Sequence, residues 1–199
     1  MHDSKKGFLP FRHGISLSKD QSPKTDEEIE KMKVVPYGSV VGSLMYAMLC
    51  TRPDIYYAIS VVSRFQSNPG REYWTAVKHI IKYLKRIRDY IPVYHSDELV
   101  PIEYTDSDFQ SDKDSRKSTS GNVFTLGGGT ISWRSIKQTC VINSTKEVEY
   151  VAASEAAKEA VWLRNFLREL NVVPSIQALI TVIIVVWLQI QRRHEAIKE

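Results

Sequence analysis

Two acidic residues, Asp106 and Glu149, have the setting of a paired-carboxylate site. Asp106 lies in the motif Tyr-Thr-Asp-Ser-Asp at the end of a predicted strand, and Glu149 lies in the first turns of a predicted helix. Cleavage of a phosphodiester needs an activated water and stabilisation of the leaving oxygen, and two divalent metal ions about 4 Å apart supply both. Magnesium prefers oxygen ligands, carboxylates above all. The two residues therefore predict half of a metal-dependent nuclease site.

The same two acids also have a simpler explanation. An acid in the first turn of a helix is stabilised by the helix dipole, so Glu149 needs no ligand to account for its position. Asp106 can be a solvent-exposed residue at the end of its strand. Residue type and spacing alone favour this explanation over a catalytic one.

The elements that must position the two acids follow from the pattern after residue 98. Alternation predicts a strand at residues 100–106, with Ile102, Tyr104 and Asp106 on one face. Short strands at 122–126 and 130–134 flank a run of three glycines, which is typical of a hairpin turn. Residues 139–143 are a candidate third strand of this meander.

A long helix is predicted at residues 146–170. Ser144 and Thr145 are its expected caps, with Glu147 near the position that a capping box requires. Two groups of residues are expected on its buried side: the alanines Ala152, Ala153, Ala156, Ala157 and Ala160, and the larger Trp162, Leu163, Phe166 and Leu167. The order strand, strand, strand, helix, strand predicts an α/β fold with a mixed sheet flanked by helices.

The first 97 residues are predicted to be mostly helical. Helices are expected at 25–33, 38–50, 55–65 and 72–88. In the last of these, one face is apolar (Trp74, Val77, Ile80, Ile81, Leu84) and the other is basic (Lys78, Lys82, Lys85, Arg86, Arg88). The basic face is interpreted first as a solvated surface and second as a nucleic-acid contact. His79, beside the apolar stripe, is expected to be structural.

Composition sets broad limits on function. The chain has 199 residues with a net charge of +4, which leans only weakly towards a polyanionic partner. Two cysteines are too few for a disulfide framework or a zinc site, so we expect an intracellular protein, cytoplasmic or nuclear. The N-terminus lacks the apolar core of a signal peptide. The apolar run at 178–190 is shorter than the ~18–20 residues of a membrane span, so no membrane partner is expected.

Two long blocks of the sequence resemble one known family. YTDSDFQSDKDSRKSTSGNVFTLGGGTISWRSIKQTCVINSTKEVEYVAASEAAKEAVWLR, residues 104–164, resembles the ribonuclease H domain of copia-type LTR retrotransposon polyproteins. Residues 7–25 and 37–86 resemble the stretch that these polyproteins place between the polymerase palm and that domain. The resemblance implies a helical, reverse-transcriptase-derived segment at 1–97 and an RNase H-like domain at 98–181, incomplete at its C-terminus.

The resemblance also implies a chemistry. The family's fold binds two Mg²⁺ ions and cleaves the RNA strand of an RNA–DNA hybrid. Asp106 takes the place of the family's first-strand aspartate, and Glu149 that of the glutamate in its AEAEY motif, in which Lys146 and Val148 replace two alanines. Asp108 is a weaker candidate ligand, expected on the opposite face if the strand continues.

The sequence departs from the family where the third metal ligand is expected. The family continues with a strand that ends in Cys-Asp-Asn, whereas residues 182–199 contain no aspartate. One permitted set of codons from Thr181 onward, read in the neighbouring frame, encodes CDNSGLVANSKETRSHKR, which resembles the family's text. Our hypothesis is that residues 182–199 are an out-of-frame tail. Sequencing of the encoding DNA checks this, because codons that cannot yield Cys-Asp-Asn in that frame would refute it.

The predicted function is that of a retrotransposon-derived RNase H-like fragment with impaired catalysis. The expected metal ligands and catalytic residues are Asp106 and Glu149, and the expected partner is an RNA–DNA hybrid or another nucleic acid. Lys113, Arg116 and Lys117, in the loop after the first strand, are candidate phosphate contacts. The alternatives are a nucleic-acid-binding module without chemistry and a poorly folded product of a decayed element.

Overall fold

The computed structural model describes residues 7–12, 15–91, 93–94 and 99–171, together with the backbone of 181–184. The chain divides into two compact units. Unit 1 comprises Met1–Ile91 and Asp112–Ser115, and unit 2 comprises Pro92–Ser111 and Arg116–Glu199. Apart from Val182–Ile184, the predicted out-of-frame tail lies outside the described residues, as does most of the apolar run at 178–190.

Unit 1 is helical. Its helices are α1 (Asp26–Lys33), α2 (Tyr37–Cys50), α3 (Tyr56–Val62) and α4 (Arg71–Arg86), with 3-10 turns at Lys19–Gln21, Pro53–Ile55 and Ser63–Phe65. Helix α1 begins with a capping box: the Glu28 backbone N–H donates to Thr25 Oγ1, and the Thr25 N–H donates to the Glu28 carboxylate. Backbone N–H groups, first that of Lys24, lower the pKa of Glu28.

The core of unit 1 lies between α2, α3 and α4. Its fully buried side chains include Val41, Ile55, Ile59, Val62, Tyr73, Val77 and Ile80. On α4, Tyr73 and Ala76 are buried more deeply than Trp74, Ile81 and Leu84, which are only partly buried. Tyr73 stacks on Phe65 with ring centroids 4.1 Å apart and donates its hydroxyl proton to the Ser18 carbonyl at 2.6 Å. The buried stripe of α4 is therefore centred one residue earlier than the expected one.

None of the described helices is long and apolar enough to cross a membrane alone, although α1 and α2 together, bent by 54° at their junction, have the length and composition for it.

Unit 2 is built on a mixed sheet. Strands β1 (Ile102–Asp108), β2 (Thr119–Leu126), β3 (Gly129–Lys137) and β4 (Thr181–Ile184) lie in the order β3-β2-β1-β4. Neighbouring strands are antiparallel except β4, which runs parallel to β1. Gly127 and Gly128 form the β2–β3 turn with φ of 54° and 77°, values that favour glycine and suit a two-residue hairpin. The predicted α/β class, hairpin and element order are thus confirmed.

Helix α5 (Thr145–Glu169) packs on one face of this sheet. Its small residues Ala152, Ala156 and Ala160 are buried, and Leu163 and Leu167 pack with Phe124 and Leu126 of β2. The prediction that Trp162 and Phe166 are buried is wrong: they are 54% and 42% exposed and stack on each other at 5.2 Å. Both lie about 100° around the helix from Leu163 and Leu167, off the stripe that meets the sheet.

Two further local predictions are wrong. Residues 139–143 form no strand, because the chain leaves the sheet after Lys137 and turns towards the start of α5; Gln138 N–H is held by the Ser118 carbonyl at 2.8 Å. Ser144 is the N-cap residue of α5, but neither its side chain nor Glu147 completes a capping box.

Candidate carboxylate site

Asp106 lies near the end of β1, opposite Gly121 of β2. Its Oδ1 accepts the Ser107 backbone N–H at 2.8 Å. Burial is the main cause that raises its pKa; the carboxylates of Asp108 and Glu149 raise it further, while the Ser107 N–H opposes them. The structure therefore brings Asp106 and Glu149 within electrostatic reach of each other, and a bound cation would offset their repulsion.

Asp108 was expected on the opposite face from Asp106, and that expectation is wrong. Strand β1 continues through Asp108, which pairs with Thr119. Residues i and i+2 of a strand project from the same face. Burial raises the pKa of Asp108 as well, against a hydrogen bond from Ser111. Asp108 is thus a third carboxylate in this region, together with Asp106 and Glu149.

Glu149 is positioned by the anchoring of the first turns of α5. Val148, directly before it, is fully buried. The Gln138 side-chain amide donates to the Val148 carbonyl at 3.3 Å and to Ser120 Oγ of β2 at 2.7 Å. Gln138 therefore ties the start of α5 to the sheet. Gln138 was not predicted from the sequence, where its only signal is its position as a polar residue directly after an alternating strand.

A complete metal site is not assembled by the described residues. Within them, no group of three or more His, Cys, Asp or Glu side chains is arranged to hold a metal ion. Strand β4 pairs Ile184 with Thr105, so Thr181–Ile184 lies beside β1 where the resemblance leads us to expect the third acid, and it contains none. The carboxylate chemistry of Asp106 and Glu149 fits Mg²⁺, but it fits only part of a coordination sphere.

The three candidate phosphate contacts are divided between the units. Lys113 belongs to the Asp112–Ser115 segment of unit 1, whereas Arg116 and Lys117 belong to unit 2. Lys113 and Arg116 are exposed and Lys117 is half-buried.

One buried acid was not singled out by the sequence. Glu103 is fully buried in β1, and neither carboxylate oxygen has a hydrogen-bond partner within the described residues. It lies opposite Phe124, which packs against α5, so Glu103 projects from the face that α5 covers. Burial raises its pKa to about 7. Alternation places Asp106 on the other face of the sheet.

A cavity of about 270 Å³ lies between the β2–β3 hairpin and α5 in unit 2. Asn122, Arg134, Gln138 and Glu155 contribute its polar lining, whereas neither Asp106 nor Glu149 lines it. The candidate carboxylates, Asp106 near the end of β1 and Glu149 in the first turns of α5, therefore lie outside this cavity.

Comparisons with known proteins place the chain among transposon sequences. It is 48% identical over 171 residues to the retrovirus-related Pol polyprotein from transposon TNT 1-94 of Nicotiana tabacum, a match that covers 86% of this chain and 13% of the polyprotein. It is 37% identical over 137 residues to the Pol polyprotein from transposon RE1 of Arabidopsis thaliana, covering 68% of this chain and 9% of that one. The chain thus spans a small part of these polyproteins.

A much shorter relative is matched over nearly its whole length. The chain is 46% identical over 133 residues to secreted RxLR effector protein 161 of Plasmopara viticola, which covers 66% of this chain and 94% of the effector protein. No protein-family model matches the chain, and no solved structure matches it. The chain therefore belongs to one family with this effector protein and with a segment of the retrovirus-related Pol polyproteins of plant transposons.

Proposed function

We propose that the chain is a copia-type Pol fragment whose unit 2 is an RNase H-like domain with a remnant of a magnesium site. The observation that carries the proposal is the placement of the two acids by the topology of unit 2, Asp106 near the end of central strand β1 and Glu149 in the first turns of α5, the helix that precedes parallel β4. Glu149 also raises the pKa of Asp106, in addition to burial. The strand order β3-β2-β1-β4, with a helix returning to a parallel β4, supports the RNase H-like assignment.

In this proposal Asp106 and Glu149 hold a divalent cation. When bound, the cation supplies an activated water and stabilises charge on the leaving oxygen. The Ser107 backbone N–H orients the Asp106 carboxylate, and Gln138 orients the start of α5 and with it Glu149. The ancestral substrate is the RNA strand of an RNA–DNA hybrid.

Catalysis is proposed to be severely impaired. Residues Thr181–Ile184 carry no acid beside β1, so the cation lacks the third carboxylate that the family's site uses. Positioning of the reactants and stabilisation of the developing charge are both lost when a metal is underliganded. Because those two effects multiply, the cleavage rate falls by orders of magnitude.

Manganese binding tests the remnant site. We expect the full chain to bind Mn²⁺ weakly, measured by electron paramagnetic resonance, and Asp106→Asn or Glu149→Gln to weaken binding by at least about ten-fold, since even outer-shell partners of a metal carry that much. The matched control is Asp89→Asn, which changes an exposed acid paired with Arg88 in unit 1.

The same samples test catalysis. With Mg²⁺ and a labelled RNA–DNA hybrid, the unaltered chain should cleave no faster than Asp106→Asn. Robust cleavage that depends on Asp106 would contradict the impaired state. Equal Mn²⁺ affinities for the unaltered chain and both variants would contradict the metal site itself.

A further inference from the structure

Unit 1 has a row of cations on helix α4. Lys78, Lys82 and Arg86 follow one another at intervals of four residues, so they lie along one side of the helix. A rise of 1.5 Å per residue spaces them by about 6 Å and extends the row over about 12 Å. The three cations can therefore contact up to three phosphates of one nucleic-acid strand.

These cations are not neutralised by acids of the described chain. Among the residues described, no ion pair engages Lys78, Lys82, Arg86 or the nearby Arg12, in contrast to the paired lysines Lys31 and Lys33 of α1. The positive charges also act on His79, which lies on the same helix. Burial is the main cause that lowers the pKa of His79, and Arg12, Lys82 and Lys78 lower it further. The surface is therefore positive in its local field as well as in its residue count.

An exposed aromatic ring stands beside the row. Phe8 is 76% exposed, and the Arg86 guanidinium lies 3.9 Å from its ring centroid, a cation–π contact. The Gly7 backbone N–H donates to the Lys82 carbonyl at 3.0 Å and fixes the main chain against α4. A Cβ at residue 7 would lie 3.1 Å from the Tyr83 nitrogen, so this close approach favours glycine. The ring is thus held against the cations while most of it stays in solvent.

We propose that this surface, defined by Phe8, Lys78, Lys82 and Arg86, binds single-stranded nucleic acid. The cations take the phosphates and Phe8 stacks on an unpaired base, which is the combination that sequence-tolerant single-strand sites use. A duplex offers phosphates but no unpaired base for the ring. The activity goes beyond hybrid cleavage, since it needs neither a divalent cation nor Asp106.

The test is fluorescence anisotropy of the full chain with a labelled twelve-nucleotide oligo-dT in EDTA. We expect binding that weakens steeply with salt. The double variant Lys78→Gln/Lys82→Gln should reduce the slope of log K against log salt by about 1.4, from 0.7 per phosphate contact. Phe8→Ala should weaken binding about five-fold or more, since stacking on one base is worth at least about 1 kcal/mol.

Matched controls separate these contacts from bulk effects. Lys31→Gln/Lys33→Gln removes the same charge from unit 1 at paired positions, and Leu9→Ala truncates the neighbouring exposed apolar residue; both should leave affinity near that of the unaltered chain. Asp106→Asn should also bind normally, so failure of the metal proposal does not affect this result. Three outcomes would overturn the inference: an unchanged affinity in Phe8→Ala, equal binding of a duplex of the same length, or binding of phosphatidylserine vesicles without binding of the oligonucleotide.

Discussion

Replacing Glu103 with leucine should raise the free energy of unfolding at pH 8 by roughly 3 kcal/mol. This is the free energy that corresponds to the rise of the Glu103 pKa from 4.5 to about 7 in the folded chain. The carboxyl is fully buried and its oxygens lack hydrogen-bond partners within the described residues. Its ionised form is therefore costly in the folded state. Leucine has a similar size and suits the neighbouring Phe124.

The pH dependence has a definite sign. Below pH 4.5 Glu103 is protonated in both the folded and the unfolded chain and contributes no pH dependence. Between pH 4.5 and about 7 the unfolded chain releases the proton first, so it binds fewer protons than the folded chain and stability falls as pH rises. Above about pH 7 both states are ionised and the loss is complete.

Urea denaturation from pH 4 to pH 8 measures both effects. Glu103→Gln cannot ionise and should remove this part of the pH dependence, which separates charge from side-chain polarity. Glu147→Gln, an exposed acid of α5, is the control that should retain it. If the unaltered chain does not lose stability between pH 5 and pH 8 relative to Glu103→Gln, the assignment of a raised pKa to this carboxyl is refuted.

Replacing Arg64 with methionine should destabilise unit 1 by about 3 kcal/mol, because it removes a cation that pairs with a buried carboxylate. Arg64 Nη1 lies 3.1 Å from Asp112 Oδ2, and Asp112 is only 6% exposed. Asp112 Oδ1 also accepts the backbone N–H groups of Asp114 and Ser115 at 2.9 and 3.3 Å. The Asp112 carboxylate thus holds the Asp112–Ser115 turn together through these hydrogen bonds. Its buried negative charge is compensated in part by Arg64.

The comparison for this variant is Arg88→Met. Arg88 pairs with Asp89 at the same 3.1 Å, but both side chains are largely exposed, and such pairs contribute about 0–1 kcal/mol. Urea denaturation should therefore show a large loss for Arg64→Met and a small one for Arg88→Met. Adding Asp112→Asn to Arg64→Met should recover part of the lost stability, since it removes the buried negative charge of Asp112. Equal effects of Arg64→Met and Arg88→Met would argue against a buried ion pair.

Local patterns predicted the elements well where neighbouring residues decide the structure. The helix that begins after Thr25, the glycine turn between β2 and β3 and the amphipathic helix α4 depend on contacts within a few residues, and all three are present. The two acids were identified in the same way, from a strand end and a helix start. The effect of Glu149 on the pKa of Asp106 required the fold, because 43 residues of chain separate them.

Predictions failed where several local solutions were equally good. The apolar arc of α5 is wide enough for Trp162 and Phe166 to belong to its buried side, and only the sheet selects the stripe through Leu163 and Leu167. Residues 139–143 have the composition of a strand, but the chain there turns towards α5 instead of pairing. Which face of a helix is buried, and whether a segment pairs as a strand, depends on the element that packs against it, and that element lies far away in sequence.

By itself, the sequence determined the helical first part, the strands with their hairpin and the long helix, and it singled out Asp106 and Glu149, because short-range propensity and residue identity specify these features. Only the tertiary structure decided that Glu103 is buried without a hydrogen-bond partner among the described residues, that Asp112 pairs with Arg64, and that Phe8 lies against Arg86. Each of these features depends on contacts between residues far apart in sequence, because those contacts determine the burial and the electrostatic environment of a side chain.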